Sequence, residues 1–225
     1  MPSQRGLDLL RGVAKTALPG PAAPLRARLR EAALALVRAE NLAELGYSYR
    51  ILALDAPVGE TLRLAGETLH APWLLPATGE LTALACAVCS VGPKLEARVS
   101  SLFKQKRASL ALALDALGNE LLLAVSRRLQ DKLLAEVRRR GLTLSGELRP
   151  GDPGLALEAQ AAVLRLAQAE AIEVALRGAH TLVPLKSLSM VMGVGLDLPS
   201  ASWSRCDLCP SRVGCKLVAQ AEAAP

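Results

Sequence analysis

Arg149-Pro150-Gly151-Asp152-Pro153-Gly154-Leu155-Ala156-Leu157-Glu158-Ala159-Gln160 is the stretch on which the fold turns. Two prolines and two glycines in its first six residues forbid regular structure, because Pro removes an amide donor and Gly favours turns. The segment before it, Leu142-Thr143-Leu144-Ser145-Gly146-Glu147-Leu148, reads as a strand, and the segment after it reads as a helix over about 156–169. Ile172, Val174 and Leu176 then alternate like a strand. Residues 182–194 are interrupted by Pro184 and resume as the strand Ser187-Leu188-Ser189-Met190-Val191-Met192.

Upstream, Leu25, Leu29, Ala32, Leu36 and Ala39 recur at helical spacing, predicting a helix over about 25–45 with Gly46 as its terminator. Tyr47 to Leu54 reads as a strand. Leu62-Arg63-Leu64 and Thr68-Leu69-His70 flank Ala65-Gly66-Glu67 as a hairpin. Thr82 to Val88 is short, apolar and consistent with a buried strand. Gly92-Pro93 opens a helix with Leu95, Val99 and Leu102 inward. A long helical region over 108–140 stops at Gly141, with Gly118-Asn119 as an expected interruption. Helices and strands are mixed without the regular alternation of a doubly wound sheet. The expected class is α+β, with helices packed on a mostly antiparallel sheet.

The chain has 225 residues, 51% hydrophobic and only 2% aromatic, so Ala, Leu and Val must build its core. That length buries a core without disulfide staples. Its +6 net charge, from 27 Lys and Arg against 21 Asp and Glu, is scattered along helix faces. A nucleic-acid surface needs a denser basic patch and stacking aromatics, so no nucleic-acid partner is expected. The most apolar stretches, 108–125 and 155–176, carry Asp115, Asn119, Glu120, Glu158, Arg165, Glu170 and Glu173, and no membrane span is expected. The first twenty residues lack a secretory apolar core, and the expected location is the cytoplasm. Expected domains are an N-terminal extension over 1–22, loose or briefly helical, an α+β domain over 23–200 and a cysteine-rich tail over 201–225.

Three of the five cysteines lie in that tail as Cys206-x2-Cys209-x5-Cys215, and Cys86 and Cys89 form a C-x2-C upstream. Thiolates so spaced can share one metal centre. The reading is an iron–sulfur cluster, or zinc, on Cys206, Cys209 and Cys215 with Cys89 as fourth ligand. Cys86 is the alternative, and for zinc His70 or His180. Buried free thiols are the competing reading for Cys86 and Cys89. No hydrolytic triad, phosphate-binding Gly loop or His-rich motif is present, so no catalytic residue is assigned.

In order and spacing, three segments resemble the activation domain of cobalamin-dependent methionine synthase, and above all its short stand-alone bacterial relatives. The Pro-Gly loop quoted above aligns with that family's S-P-G-Y-G-D-x-P-L-E-x-Q. Pro184-Leu185-Lys186-Ser187-Leu188-Ser189 aligns with P-x-K-S-V-S. Cys89-Ser90-Val91-Gly92-Pro93-Lys94-Leu95-Glu96 stands where T-L-G-x-x-L-E begins a helix. The resemblance covers most of residues 40–215. It implies an accessory role in returning a corrinoid to its methylated state, with S-adenosylmethionine as ligand and cobalamin supplied by a corrinoid-binding protein or methyltransferase partner. It also implies ligand contacts from Arg149, Pro150, Gly151, Lys186 and Ser187. Asp152 stands where the family has Tyr, and Glu147 where it has an Arg, with Arg149 two residues on. A zinc-bearing interaction module is the alternative function. A cluster-bearing nuclease is a further one, but such enzymes need a D/E-x-K pair, and none occurs in this chain.

Overall fold

The computed structural model describes residues 23–199. In chain order these form α1 (Ala23–Ala39), β1 (Gly46–Ala53), β2 (Thr61–Leu64), β3 (Glu67–His70), β4 (Glu80–Ser90), α2 (Pro93–Lys104), α3 (Ala108–Arg139), β5 (Thr143–Leu148), α4 (Gln160–Leu166), β6 (Ala175–Arg177), β7 (Thr181–Val183) and β8 (Ser187–Leu196). The main sheet has the order β1-β4-β8-β5, and each neighbouring pair is antiparallel. β2–β3 and β6–β7 are separate hairpins. The class is α+β, as expected.

The alternation of β4 divides the core. Leu84, Cys86 and Val88 join a cluster with Val163, Leu166, Leu62 and Leu64, covered by α4 and the β2–β3 hairpin. Ala85, Ala87 and Cys89 point the other way, onto Val125, Leu129, Leu133 and Val137 of α3. Small side chains on that strand face let the helix sit close to the sheet. The first half of α3, with Leu110, Leu114, Leu117 and Leu121, packs instead with α1 and α2.

Several local expectations are corrected. The first helix ends at Ala39 rather than near 45, followed by Asn41 in the left-handed region at φ 51°. Gly46 opens β1 instead of capping a helix. The buried stripe of α1 is Ala33, Leu34 and Val37, while Leu25 is 63% exposed. Arg30 explains the rotated stripe, since both its terminal nitrogens turn inward onto Glu120 of α3 at 2.5 Å. α3 runs without a break through Gly118-Asn119. Gly118 serves packing there, because a Cβ on it would lie 2.8 Å from Leu95 Cδ2 on α2.

The strand expected from Ile172 is mostly a 3-10 turn, Ala169–Ile172, bracketed by Gln168 and Glu173 in the left-handed region. Only Ala175–Arg177 pairs. By length and composition α3 contains one 18-residue stretch apolar enough to cross a membrane, with a mean hydropathy of 1.6 over that stretch. In the fold one face of that helix forms the centre of the core. The 1–22 extension and the 201–225 tail, with Cys206, Cys209 and Cys215, lie outside the described residues.

Candidate functional site

One end of the main sheet gathers the three segments singled out in the sequence. β4 finishes there at Ser90, β8 begins at Ser187 as its register partner, and β5 leaves the sheet after Leu148 pairs with Val191.

The first segment turns from strand into helix at Ser90-Val91-Gly92-Pro93. Gly92 adopts φ 84°, and a Cβ on it would approach Glu44 Cβ to 2.7 Å, so glycine is required twice over. Its amide donates to Ser90 Oγ at 3.0 Å. Pro93 then occupies the first turn of α2, where no amide partner is needed.

The second segment is clasped to the first. The Val91 amide donates to the Lys186 carbonyl at 2.9 Å, and the Leu185 amide donates to Glu96 Oε2 at 2.6 Å. Ser187 Oγ donates to Ser90 Oγ at 2.8 Å, in a buried contact.

The third segment is the Pro-Gly loop. Asp152 ties it off: its Oδ2 accepts from the Arg149 amide at 2.9 Å, its carbonyl accepts from the Leu155 amide at 3.0 Å, and the Gly151 amide donates to the Leu155 carbonyl at 2.9 Å. Gly154, at φ 86°, lies against the indole of Trp73, where a Cβ would come 2.5 Å from Cγ. Gln160, at the start of α4, is buried and donates to Ser189 Oγ at 2.9 Å. Loop and second segment are thereby joined as well.

Arg149 leaves the loop towards α3. Its guanidinium lies 2.7 Å from Glu147 Oε1, with the two side chains 17% and 16% exposed. Glu147 in turn accepts from Gln130 of α3, whose amide also reaches Ser126 Oγ at 3.3 Å. The guanidinium expected to meet a ligand is thus engaged by the Glu147 carboxylate of the preceding strand.

Of the five residues expected to contact a ligand, Arg149, Pro150 and Gly151 share this loop, and Ser187 joins the buried Ser90 pair beside it. Lys186 does not join them. It turns to α3, 2.7 Å from Asp115 Oδ1 and 2.6 Å from Asn119 Oδ1. Period-two alternation accounts for the split, since successive side chains leave a strand on opposite faces.

Cys86 and Cys89 are both fully buried, on opposite faces of β4. Burial pushes each thiol up to about 12, with small opposing influences from Arg50 on Cys86 and Arg149 on Cys89. Cys89 pairs with Leu188 and Glu80 with Leu196, so Cys89 lies at the other end of the ladder from the point where β8 hands the chain on to the tail. At strand rise that is roughly 26 Å. No group of three or more His, Cys, Asp or Glu suited to a metal occurs among the described residues. The Nδ1 of His180, in the β6–β7 hairpin, is buried with no partner among them.

No sequence pattern points to Trp73 as the surface under the loop or to Gln160 as its anchor, and Asp152 was missed as the second anchor. An Asp side chain can reach back to a backbone amide three residues earlier, as Asp152 does to Arg149, and this was the available signal. A cluster on β1 also went unsignalled. Lys132 Nζ lies 5.0 Å from the ring centroids of both Tyr47 and Tyr49, and Tyr49 Oη donates to Glu136 at 2.7 Å. Burial and then the Glu136 carboxylate raise the Tyr49 phenol above its ordinary value. These contacts fasten α3 to the sheet edge.

No protein-family model matches this chain, and no curated protein sequence does. Among solved structures, its fold is similar to the crystal structure of the MetH reactivation domain bound to AdoHcy. The TM-score is 0.62 at 14% identity, over 92% of this chain and 74% of that one. The described residues therefore adopt the fold of a MetH reactivation domain.

Proposed function

We propose that this protein is an accessory factor of corrinoid-dependent methyl transfer, which docks on a cobalamin-binding protein or methyltransferase and supports return of the corrinoid to its active state. The observation that supports it most is the fold likeness over 92% of the chain to a MetH reactivation domain. The convergence of the Arg149–Gly154 loop, Ser187 and the Ser90–Glu96 turn at one end of the sheet fits a surface for small-ligand and partner contact. Hydrogen bonds within and between these segments hold that surface in place before any ligand arrives, which lowers the ordering cost of binding.

In this reading Arg149, Pro150 and Gly151 face an S-adenosyl-type ligand; the similar MetH reactivation domain is bound to AdoHcy. The Glu147–Arg149 pair sets the condition: a ligand carboxylate must compete with Glu147 for the guanidinium. Cobalamin enters with the partner rather than with this chain. The tail cysteines Cys206, Cys209 and Cys215 supply the metal part of the proposal, as an iron–sulfur or zinc site. Cys89 fits a ligand role only if α3 lifts from the sheet, because its thiol is protonated and covered.

The test is titration of the full chain into a corrinoid protein poised as cob(II)alamin, read by visible absorption and electron paramagnetic resonance. A saturable change in the cobalt spectrum, lost on substitution within the 149–154 loop, is expected. No spectral change and no co-elution with any corrinoid protein tried would sink the proposal. Iron, zinc and sulfide analysis of anaerobically purified protein tests the tail separately.

A further inference from the structure

Trp73 is the one tryptophan among the described residues, and it is 40% exposed. An indole is among the largest apolar groups a chain carries, and on average most of its surface is buried. The other described aromatic side chains lie elsewhere: Tyr47 and Tyr49 face Lys132 of α3, and Phe103 stands near the end of α2. Trp73 sits in the connection from β3 to β4, in a single 3-10 turn, Pro72–Leu74. Ala71 and Leu74 on either side of it are buried in the core. They pin the turn and leave the indole partly outside.

The Pro-Gly loop lies against that indole. A Cβ on Gly154 would meet Cγ, Cδ1 and Cβ of Trp73 at 2.5, 2.8 and 2.9 Å, so the loop approaches the stem side of the ring. A Cβ on Gly151 would lie 3.5 Å from Cδ1 of Leu157, itself 41% exposed. The two glycines thus bring bare backbone beside two half-exposed apolar side chains. The Arg149, Gly151, Asp152 and Leu155 amides are bonded inside the loop, whereas the Gly154 amide has no partner among the described residues. A flat apolar surface with an open N–H at its rim suits a flat ring that carries nitrogen acceptors on its edge. Every nucleobase has a π-face for stacking, and a purine presents ring nitrogens that accept.

We infer that Trp73 is the platform on which the adenine of an S-adenosyl-type ligand stacks, with the Gly154 amide donating to a nitrogen on the edge of the base. This rests on the ligand reading given above for Arg149, Pro150 and Gly151, and adds to it the residue that recognises the base. The division of labour is chemical. Arg149 offers charge to the carboxylate end of such a ligand, and the indole offers a π-face to its other end. Stacking tolerates changes at the base edge, so Trp73 sets affinity for a planar base and the Gly154 amide sets its orientation.

Calorimetric titration of the full chain with AdoHcy tests this, on wild type, Trp73→Phe and Trp73→Leu. Loss of the stacking face should weaken binding roughly tenfold or more in Trp73→Leu, while Trp73→Phe, which keeps a π-face, should stay within about threefold of wild type. Phe and Leu both fill space beside Gly154, so mere support of the loop predicts the same affinity for the two. In a Trp203→Phe background, where Trp73 is the only indole, saturation with AdoHcy should quench the fluorescence. Equal affinity in wild type and Trp73→Leu, or no quenching at saturation, would overturn the platform and leave the loop as the ligand site. Equal weakening in Trp73→Phe and Trp73→Leu would also overturn it and assign Trp73 to loop support. No AdoHcy binding by the wild type would overturn this inference and the ligand reading together, and the cobalt titration would then judge the accessory role alone.

Discussion

Replacing Glu147 by Gln should weaken the fold and strengthen ligand binding at once. The carboxylate sits 2.7 Å from the Arg149 guanidinium, with side chains 17% and 16% exposed. Two unit charges about 4 Å apart interact by roughly 4 kcal/mol at an effective dielectric near 20. Desolvation of both groups and residual solvent screening offset most of that. Exposed pairs contribute about 0–1 kcal/mol, and breaking a fully buried one costs about 3–5. Gln is isosteric and still accepts the Gln130 hydrogen bond through its carbonyl, so the expected loss lies nearer the lower figures, about 1–2 kcal/mol. In urea, with a slope of about 2 kcal/mol per molar, the midpoint should fall by roughly 0.5–1 M with the slope unchanged. The same substitution removes the Glu147 carboxylate as a competitor for Arg149. Calorimetric titration with AdoHcy should show tighter binding to Glu147→Gln than to wild type, and Arg149→Ala should abolish the gain. Equal or weaker binding by Glu147→Gln, with a lowered urea midpoint, would refute the competition and leave the pair a structural contact. An unchanged midpoint would refute the energetic reading of the pair.

Further outcomes follow from the packing. Gly154→Ala should cost about 1–3 kcal/mol, because it combines a left-handed backbone with a contact to Trp73 that forces the indole aside; a lowered melting temperature and changed Trp fluorescence would show it. Gly118→Ala gains up to about 1 kcal/mol in helix propensity but must displace buried Leu95, so a net loss of about 1 kcal/mol is expected in urea unfolding, and a net gain would contradict the close approach of α2 and α3. Native protein at pH 8 should leave Cys86 and Cys89 unmodified by a thiol reagent, as mapped by peptide mass, while urea exposes both. Their folded-state pKa values of about 12 exceed the ordinary value of 9, so the stability tied to the protonated thiols is complete below about pH 9 and is lost as pH rises towards 12. Cys86→Ala with Cys89→Ala should flatten that alkaline limb of the stability profile.

Period-two and period-3.6 patterns carried most of the fold. The β2–β3 hairpin, the buried β4, the Gly92-Pro93 helix start and the Ser187 strand all stand where the residues suggested. The misses have local physical causes. α1 is rotated because Arg30, polar in any sequence pattern, is drawn inward by Glu120 ninety residues away. Gly118 looks like a helix breaker until Leu95 arrives from another helix to fill the space above it. Ile172 packs against the core without belonging to a strand, since an apolar contact alone cannot separate a turn from a strand. The site was legible as three segments but not as one place. Nothing local announces that Glu96 will receive the Leu185 amide or that Gln160 will find Ser189, because these partners are 89 and 29 residues apart.

The two C-x2-C pairs show how secondary structure decides what a spacing means. In a loop, cysteines three apart can turn their sulfurs to a common point. In a strand, three steps reverse the side chain, and β4 sends Cys86 to the α4 side and Cys89 to the α3 side. Either thiol would have to shed its proton against a strongly raised pKa, and its covering layer would have to move, before it could bind a metal. The tail pair Cys206 and Cys209 is set in Asp, Pro, Ser and Gly rather than in a β-strand pattern. The ligand question is therefore settled by one comparison of metal content, Cys89→Ser against Cys209→Ser. Equal loss in both would place Cys89 at the metal and require α3 to open from the sheet. Full retention in Cys89→Ser with loss in Cys209→Ser would leave the tail to find its fourth ligand elsewhere.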